Sequence, residues 1–182
     1  MKKYLWFAPL ALNYYISFLF MIITAVITGL FPFDAIEMIS TAVVYIWYIF
    51  GIVIYIISLI RLVTSDDYDA KSAATTALFV KIPQIPPTII IFIGSLLMMI
   101  VPPIGIMLSF MIWIMLIGTS VATSIVVMTA CIRMAKLGNL TTGKTILFSI
   151  LGFLPIMEYI VPIILFALSK MNHSGTGLKG HS

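Results

Sequence analysis

At 182 residues, 62% hydrophobic and only 9% charged, with a mean hydropathy of +1.20, the chain carries too little polar surface to cover a water-soluble domain of its length. The bilayer is the solvent that fits, and its apolar runs are apolar all round, which points to helices rather than to the alternating strands of a barrel. A net charge of +4, dispersed along the chain, leaves no footprint for nucleic acid.

A hydrocarbon core takes about 20 apolar residues as a helix. The sequence predicts one all-α domain over residues 1–170, a polytopic transmembrane helical bundle of five spans at about residues 5–30, 35–63, 87–101, 104–133 and 145–169. One short cytoplasmic surface helix is expected at about 66–80, and a disordered, Gly-rich tail at 171–182.

The first span follows Met1-Lys2-Lys3, the start of a secretory signal in form. Its apolar run continues to Phe31 with no small-x-small cleavage site, so a retained signal anchor is expected, with a cleaved signal as the alternative. Asn13, Ser17, Thr24 and Thr28 fall in one narrow arc of this helix. They suit interhelical hydrogen bonding, or a lining for a polar ligand. In the second span Thr41, Tyr45, Tyr48 and Tyr55 share a face. A tyrosine face packs against neighbouring helices or holds a flat or cationic ligand.

Residues 64–71 are the most polar stretch inside the fold. Asp66, Asp67 and Asp69 have no second acidic cluster to complete a metal site, so they are expected to start a helix, with Ser65 or Asp66 as its cap. Ala70, Ala73, Ala74 and Ala77 give that helix a small-residue face for packing on protein. Pro83, Pro86 and Pro87 then end it, because each disfavours helix in the residue before it.

The third span is short, about 22 Å of helix against a core of about 30 Å, and needs tilt, thinning or the preceding residues to fill the gap. Pro102-Pro103-Ile104-Gly105 closes it into a tight hairpin with the fourth span. There Ser109, Trp113, Ser120, Ser124 and Cys131 share a face. Gly118 and Ala122 stand at small-xxx-small spacing, with Ser120 and Ser124 beside them, and mark the expected helix-packing site. Cys131 reads as an inert buried thiol.

The fifth span holds Glu158, an acidic side chain deep in an apolar run and bracketed by Pro155 and Pro162. Placing an ionised carboxylate at the bilayer centre costs on the order of 3 kcal/mol. With no lysine or arginine expected at that depth, Glu158 is predicted to be neutral. It would donate to a carbonyl freed by a proline break, or to a tyrosine of the second span. Glu158, Asn13, Tyr45, Tyr48 and Tyr55 together form the candidate intramembrane polar site.

Basic residues fix the orientation. With the N-terminus inside, Lys2, Lys3, Arg61, Lys71, Lys81, Arg133, Lys136 and Lys144 are cytoplasmic, beside anionic lipid headgroups. Five spans put Lys170, Lys179 and the C-terminus outside. If the proline breaks make the last segment re-entrant, both its ends are inside instead.

No histidine precedes His173, and neither metal-binding nor nucleophile motifs occur, so no enzyme, cofactor or metal is expected. From Lys81-Ile82-Pro83-Gln84-Ile85-Pro86 through Arg133 to Phe166 the chain resembles a group of small multi-pass proteins of low-GC Gram-positive bacteria, a domain of unknown function. That resemblance implies a plasma-membrane protein and assigns no site. Size and composition are also similar to the membrane-embedded substrate-binding subunits of energy-coupling-factor vitamin transporters, whose alanine-spaced first-helix motif residues 5–30 lack. The expected role is a non-enzymatic accessory subunit acting with a membrane-protein partner or as a homo-oligomer, with self-protection against a membrane-active peptide as one form. The alternative is a small-solute or vitamin transporter component that uses a protonatable Glu158.

Overall fold

The computed structural model of the chain describes residues 4–30 and 34–176. Among them every regular element is helical. A 3-10 turn at Tyr4–Phe7 precedes α1 (Ala8–Ala11), α2 (Asn13–Leu30) and α3 (Asp34–Thr64). Then come α4 (Ala70–Lys81), a 3-10 turn at Ile82–Gln84, α5 (Ile85–Met98), α6 (Ile104–Lys136), α7 (Thr142–Leu151) and α8 (Met157–Thr176). Among the described residues three stretches are long and apolar enough to cross a membrane: Tyr45–Thr64, Ala70–Met98 and Ile104–Lys136. Residues 171–176, expected in the tail, are helical. Lys170 and Met171 are good helix formers and no proline follows them, so α8 propagates to Thr176. Residues 177–182 lie outside the described set.

The chain divides into two compact units, Met1–Ser58 and Leu59–Ser182. In the first, the predicted span 5–30 is jointed rather than continuous. Pro9 sits in the first turn of α1, where its missing N–H removes no bond, and the helix ends at Leu12 before α2 begins. Ser58, late in α3, ties the N-terminal turn down by donating to the Trp6 carbonyl at 3.0 Å and to Ile54 at 2.7 Å. Trp47 of α3 packs beside Phe20 of α2, with ring centroids 6.3 Å apart.

In the second unit the helix expected from residue 66 starts at Ala70. Asp69 is its cap, and its carboxylate accepts from the Ser72 N–H at 3.0 Å. Residues 65–69 are held in a turn by Arg133 instead. This arginine is buried, donating Nε–H to the Tyr68 carbonyl at 2.9 Å and Nη1–H to the Val63 carbonyl at 3.2 Å, with Asp66 at 3.6 Å from Nη2. A planar fork suits that job and an ammonium does not. Arg133→Lys is expected to cost about 1–3 kcal/mol by leaving carbonyls unpaired. Hydrogen exchange should show residues 65–69 opening faster while the α5–α6 hairpin keeps its protection.

α4 ends at Lys81, ahead of the prolines, but they do not turn the chain, which runs on through the 3-10 turn at Ile82–Gln84 into α5. Lys81, Ile82, Gln84 and Ile85 keep right-handed helical dihedrals, and Pro83, Pro86 and Pro87 fall in first-turn positions that need no N–H donor. Ala70–Met98 is therefore one apolar run of 29 residues, about 43 Å long. The expected surface helix is the first part of this run, and it supplies the length the third span lacked. Its alanine face does pack on protein: Ala73, Ala74 and Ala77 are fully buried where α4 lies against α6 and α8.

α5 returns along α6 through the turn at residues 99–103. Gly105 lets the two backbones meet, since a Cβ there would stand 1.9 Å from the Met98 carbonyl oxygen. Ser109 donates to the Ser95 carbonyl at 2.6 Å, and the Trp113 indole donates to Ser95 Oγ at 2.8 Å. The face of α6 predicted from Ser109, Trp113, Ser120, Ser124 and Cys131 is its inward face, with Ser109, Ser124 and Cys131 fully buried.

The predicted fifth span is two helices joined by a turn. α7 runs back along α6 until Gly152 meets Val127, where an added Cβ would be 3.3 Å from the valine Cγ1. The turn ends at Ile156, with φ of 72°, and α8 then packs along α4. Lys81 closes α4 and Glu158 opens α8, and the two touch, so α4 and α8 are antiparallel. α7 and α8 thus form a V whose open end faces the end of α6.

Candidate functional site

Local sequence explains why two charges meet inside this bundle. On α4, Ala73, Ala77 and Lys81 follow one another at i, i+4 and i+8, so the lysine extends the small-residue stripe that faces inward. Helical continuity through Pro83 keeps it there. On α6, Ser120 and Ser124 are also four apart and share the inward face. Glu158 enters from the first turn of α8, directed by the left-handed backbone at Ile156. That conformation strains a β-branched residue by about 1–3 kcal/mol and needs the surrounding packing to hold it.

Lys81 Nζ donates to Glu158 Oε2 at 2.5 Å, to Ser124 Oγ at 3.2 Å and to the Ser120 carbonyl at 3.5 Å. The Ser120 hydroxyl donates to the same Glu158 oxygen at 2.5 Å. The Tyr159 ring lies beneath the ammonium, with its centroid 5.6 Å away. Lys81 is 1% exposed and Glu158 6%. Among the described residues every buried side-chain nitrogen and oxygen has a hydrogen-bond partner. A charged pair costs several kcal/mol to desolvate, and it persists where geometry is good and its remaining donors are satisfied. Both conditions hold here. The cluster is chemically a closed polar joint between α4, α6 and α8.

Two expectations are corrected. Lys81 was placed in a cytoplasmic loop because prolines follow it, yet it is buried within an apolar helix. Glu158 was expected to lack a cationic partner and to turn to a carbonyl or a tyrosine, yet it pairs with Lys81. The signal for this pairing was present in the alanine–lysine spacing.

The structure brings Glu158, Ser120 and Ser124 together. Asn13, Tyr45 and Tyr55 belong to the first unit. Asn13 and Tyr55 are half-buried there, and Tyr45 is 66% exposed. The side chains of Tyr48, Thr24, Thr28 and Thr41 lie outside the described residues. Ala122 is half-buried. The close helix approach expected at Gly118 is not found: this glycine is exposed, with nothing within 4 Å of an added Cβ. The bundle makes its close approaches at Gly105 and Gly152, both next to turns; Gly105 stands four residues from Ser109, whereas Gly152 has no small residue at that spacing. Among the described residues no group of three or more His, Cys, Asp or Glu side chains is placed to hold a metal ion.

Comparisons of the chain with known protein families, with curated proteins and with solved structures find no match.

Proposed function

We propose that this chain is a non-enzymatic protein of the cytoplasmic membrane that works as an accessory subunit, docked to a partner protein or to a second copy of itself. The observation that carries this reading is Gly118. It lies on the outward side of a long apolar helix with open space around it, four residues from Ala122. A small-residue notch open to the surroundings is a ready seat for another helix in a bilayer, where close backbone approach drives association. The polar groups of α4, α6 and α8 support the same reading, because they bond one another and hold the bundle together.

In this reading the bilayer covers the apolar faces of α3, α5 and α6. The N-terminus and the basic residues Arg61, Lys71, Arg133, Lys136 and Lys144 are cytoplasmic, near anionic headgroups. The resemblance to small multi-pass proteins of Gram-positive bacteria agrees with this location. Protection against a membrane-active peptide is one form such a subunit takes.

One observation favours a second reading, a small-solute or vitamin transporter component. A charged pair at a helix break within an apolar bundle is an arrangement that transport sites use. Native mass spectrometry of the tagged chain, extracted mildly from its own membranes, separates the two. The accessory reading predicts a protein partner or a second copy at fixed stoichiometry, lost in Gly118→Leu while the bundle keeps its thermal stability. A monomer carrying a small organic molecule contradicts it and supports transport.

A further inference from the structure

We infer that residues 142–176 form a re-entrant hairpin, entering and leaving the membrane on the basic side, anchored to the bundle just past its exposed tip by the Lys81–Glu158 pair. The inference rests on the membrane reading above and goes beyond it, because it fixes the side of the C-terminus.

Three directions in the second unit carry it. α4 runs antiparallel to the second half of α6: Tyr68, just before α4, lies at Arg133, and Lys81, at the end of α4, lies at Ser120 and Ser124. α8 starts at Lys81 and runs back along α4, so it ends near the level of Arg133. α7 leaves from that same level, beginning at Thr142 just after α6 ends at Lys136, and climbs only to Val127. Ten residues of α7 rise about 15 Å, half of a hydrocarbon core of about 30 Å. Both ends of the V therefore lie at one end of the bundle.

That end carries Lys71, Arg133, Lys136, Lys144 and Lys170, whereas the opposite turn, Met99-Ile100-Val101-Pro102-Pro103, carries no charge. A fifth crossing would take Lys170 to the uncharged side. The hairpin leaves it on the basic side. Irregular backbone at membrane depth must be satisfied within the protein. Here Gly152 N–H donates to Phe148, Phe153 to Ile150, Leu154 to Leu151, Met157 to Pro155 and Glu158 to Leu154, and Pro155 has no N–H to satisfy, which leaves the Ile156 N–H as the one donor of this turn without a backbone acceptor.

The test uses the full chain with Cys131 replaced by alanine and a single cysteine at Lys144 or Lys170, probed by a membrane-impermeant maleimide. The hairpin predicts that both positions are protected in intact cells and labelled in inside-out vesicles. Lys170→Cys labelled in intact cells, with Lys144→Cys protected, overturns the hairpin and restores a fifth crossing. Carbonate extraction in parallel separates the premises. A chain released from the membrane overturns the membrane reading, and a retained chain with residue 170 outside overturns the hairpin alone. For the pin, Val161→Cys, at a buried position of α8, is expected to gain maleimide reactivity at least several-fold when Lys81→Met is added. Unchanged reactivity overturns that part.

Discussion

Lys81→Met is expected to cost about 3–5 kcal/mol of stability, enough to leave a marginally stable helical bundle largely unfolded. The volume of the side chain is nearly kept, so the loss comes from charge. Methionine leaves Glu158 buried with one remaining donor, the Ser120 hydroxyl, and leaves Ser124 and the Ser120 carbonyl without the ammonium. Glu158→Gln is expected to be milder but still harmful, since it strands the Lys81 charge among Ser124, Ser120 and the Tyr159 ring. An isolated, proton-carrying carboxyl group would behave differently, with Glu158→Gln neutral for folding. Thermal unfolding in detergent, followed by tryptophan fluorescence, measures each loss.

Gly105→Ala has the second large effect. Its Cβ would stand 1.9 Å from the Met98 carbonyl oxygen and 2.9 Å from the carbonyl carbon, inside any allowed contact. Both are backbone atoms, so relief requires α5 to move away from α6. That movement also breaks the Ser109 bond to Ser95 and the Trp113 bond to the same serine. The expected loss is at the upper end of the roughly 1–3 kcal/mol typical of overpacking. Gly118→Ala is the control. It meets nothing within 4 Å, and alanine is the better helix former by up to about 1 kcal/mol, so its thermal midpoint should hold or rise. Equal losses at the two glycines would mean that the hairpin is not packed as described.

Much of the fold was legible because apolar length and turn residues act locally. Residues 104–133 were expected in one helix and lie within α6, and the inward face of α6 follows from the spacing of its serines, Trp113 and Cys131. The errors fall where a local rule was overridden by partners distant in sequence. Pro83 and Pro86 signal a helix end, yet their ring geometry also suits a first turn, and packing of α4 on α6 and α8 lets the helix continue. A chain that turned away there would put Lys81 at the membrane surface and leave Glu158 alone. Asp66 looked like a cap because capping is a near-neighbour effect, while its actual neighbour, Arg133, lies far along the chain. The break between α7 and α8 was marked by Pro155, but its direction depends on Ile156, whose left-handed backbone no propensity predicts.

A double-mutant cycle tests the central claim, that Lys81 and Glu158 form one interacting pair that holds α4, α6 and α8 together. Stability is measured for the parent chain, Lys81→Met, Glu158→Leu and the double variant under identical detergent conditions. The pair predicts two damaged single variants and a double variant clearly less damaged than the sum of the two, with a coupling of about 2–3 kcal/mol, because an apolar pair replaces a charged one without a stranded charge. Additive losses, with a coupling near zero, would contradict the account.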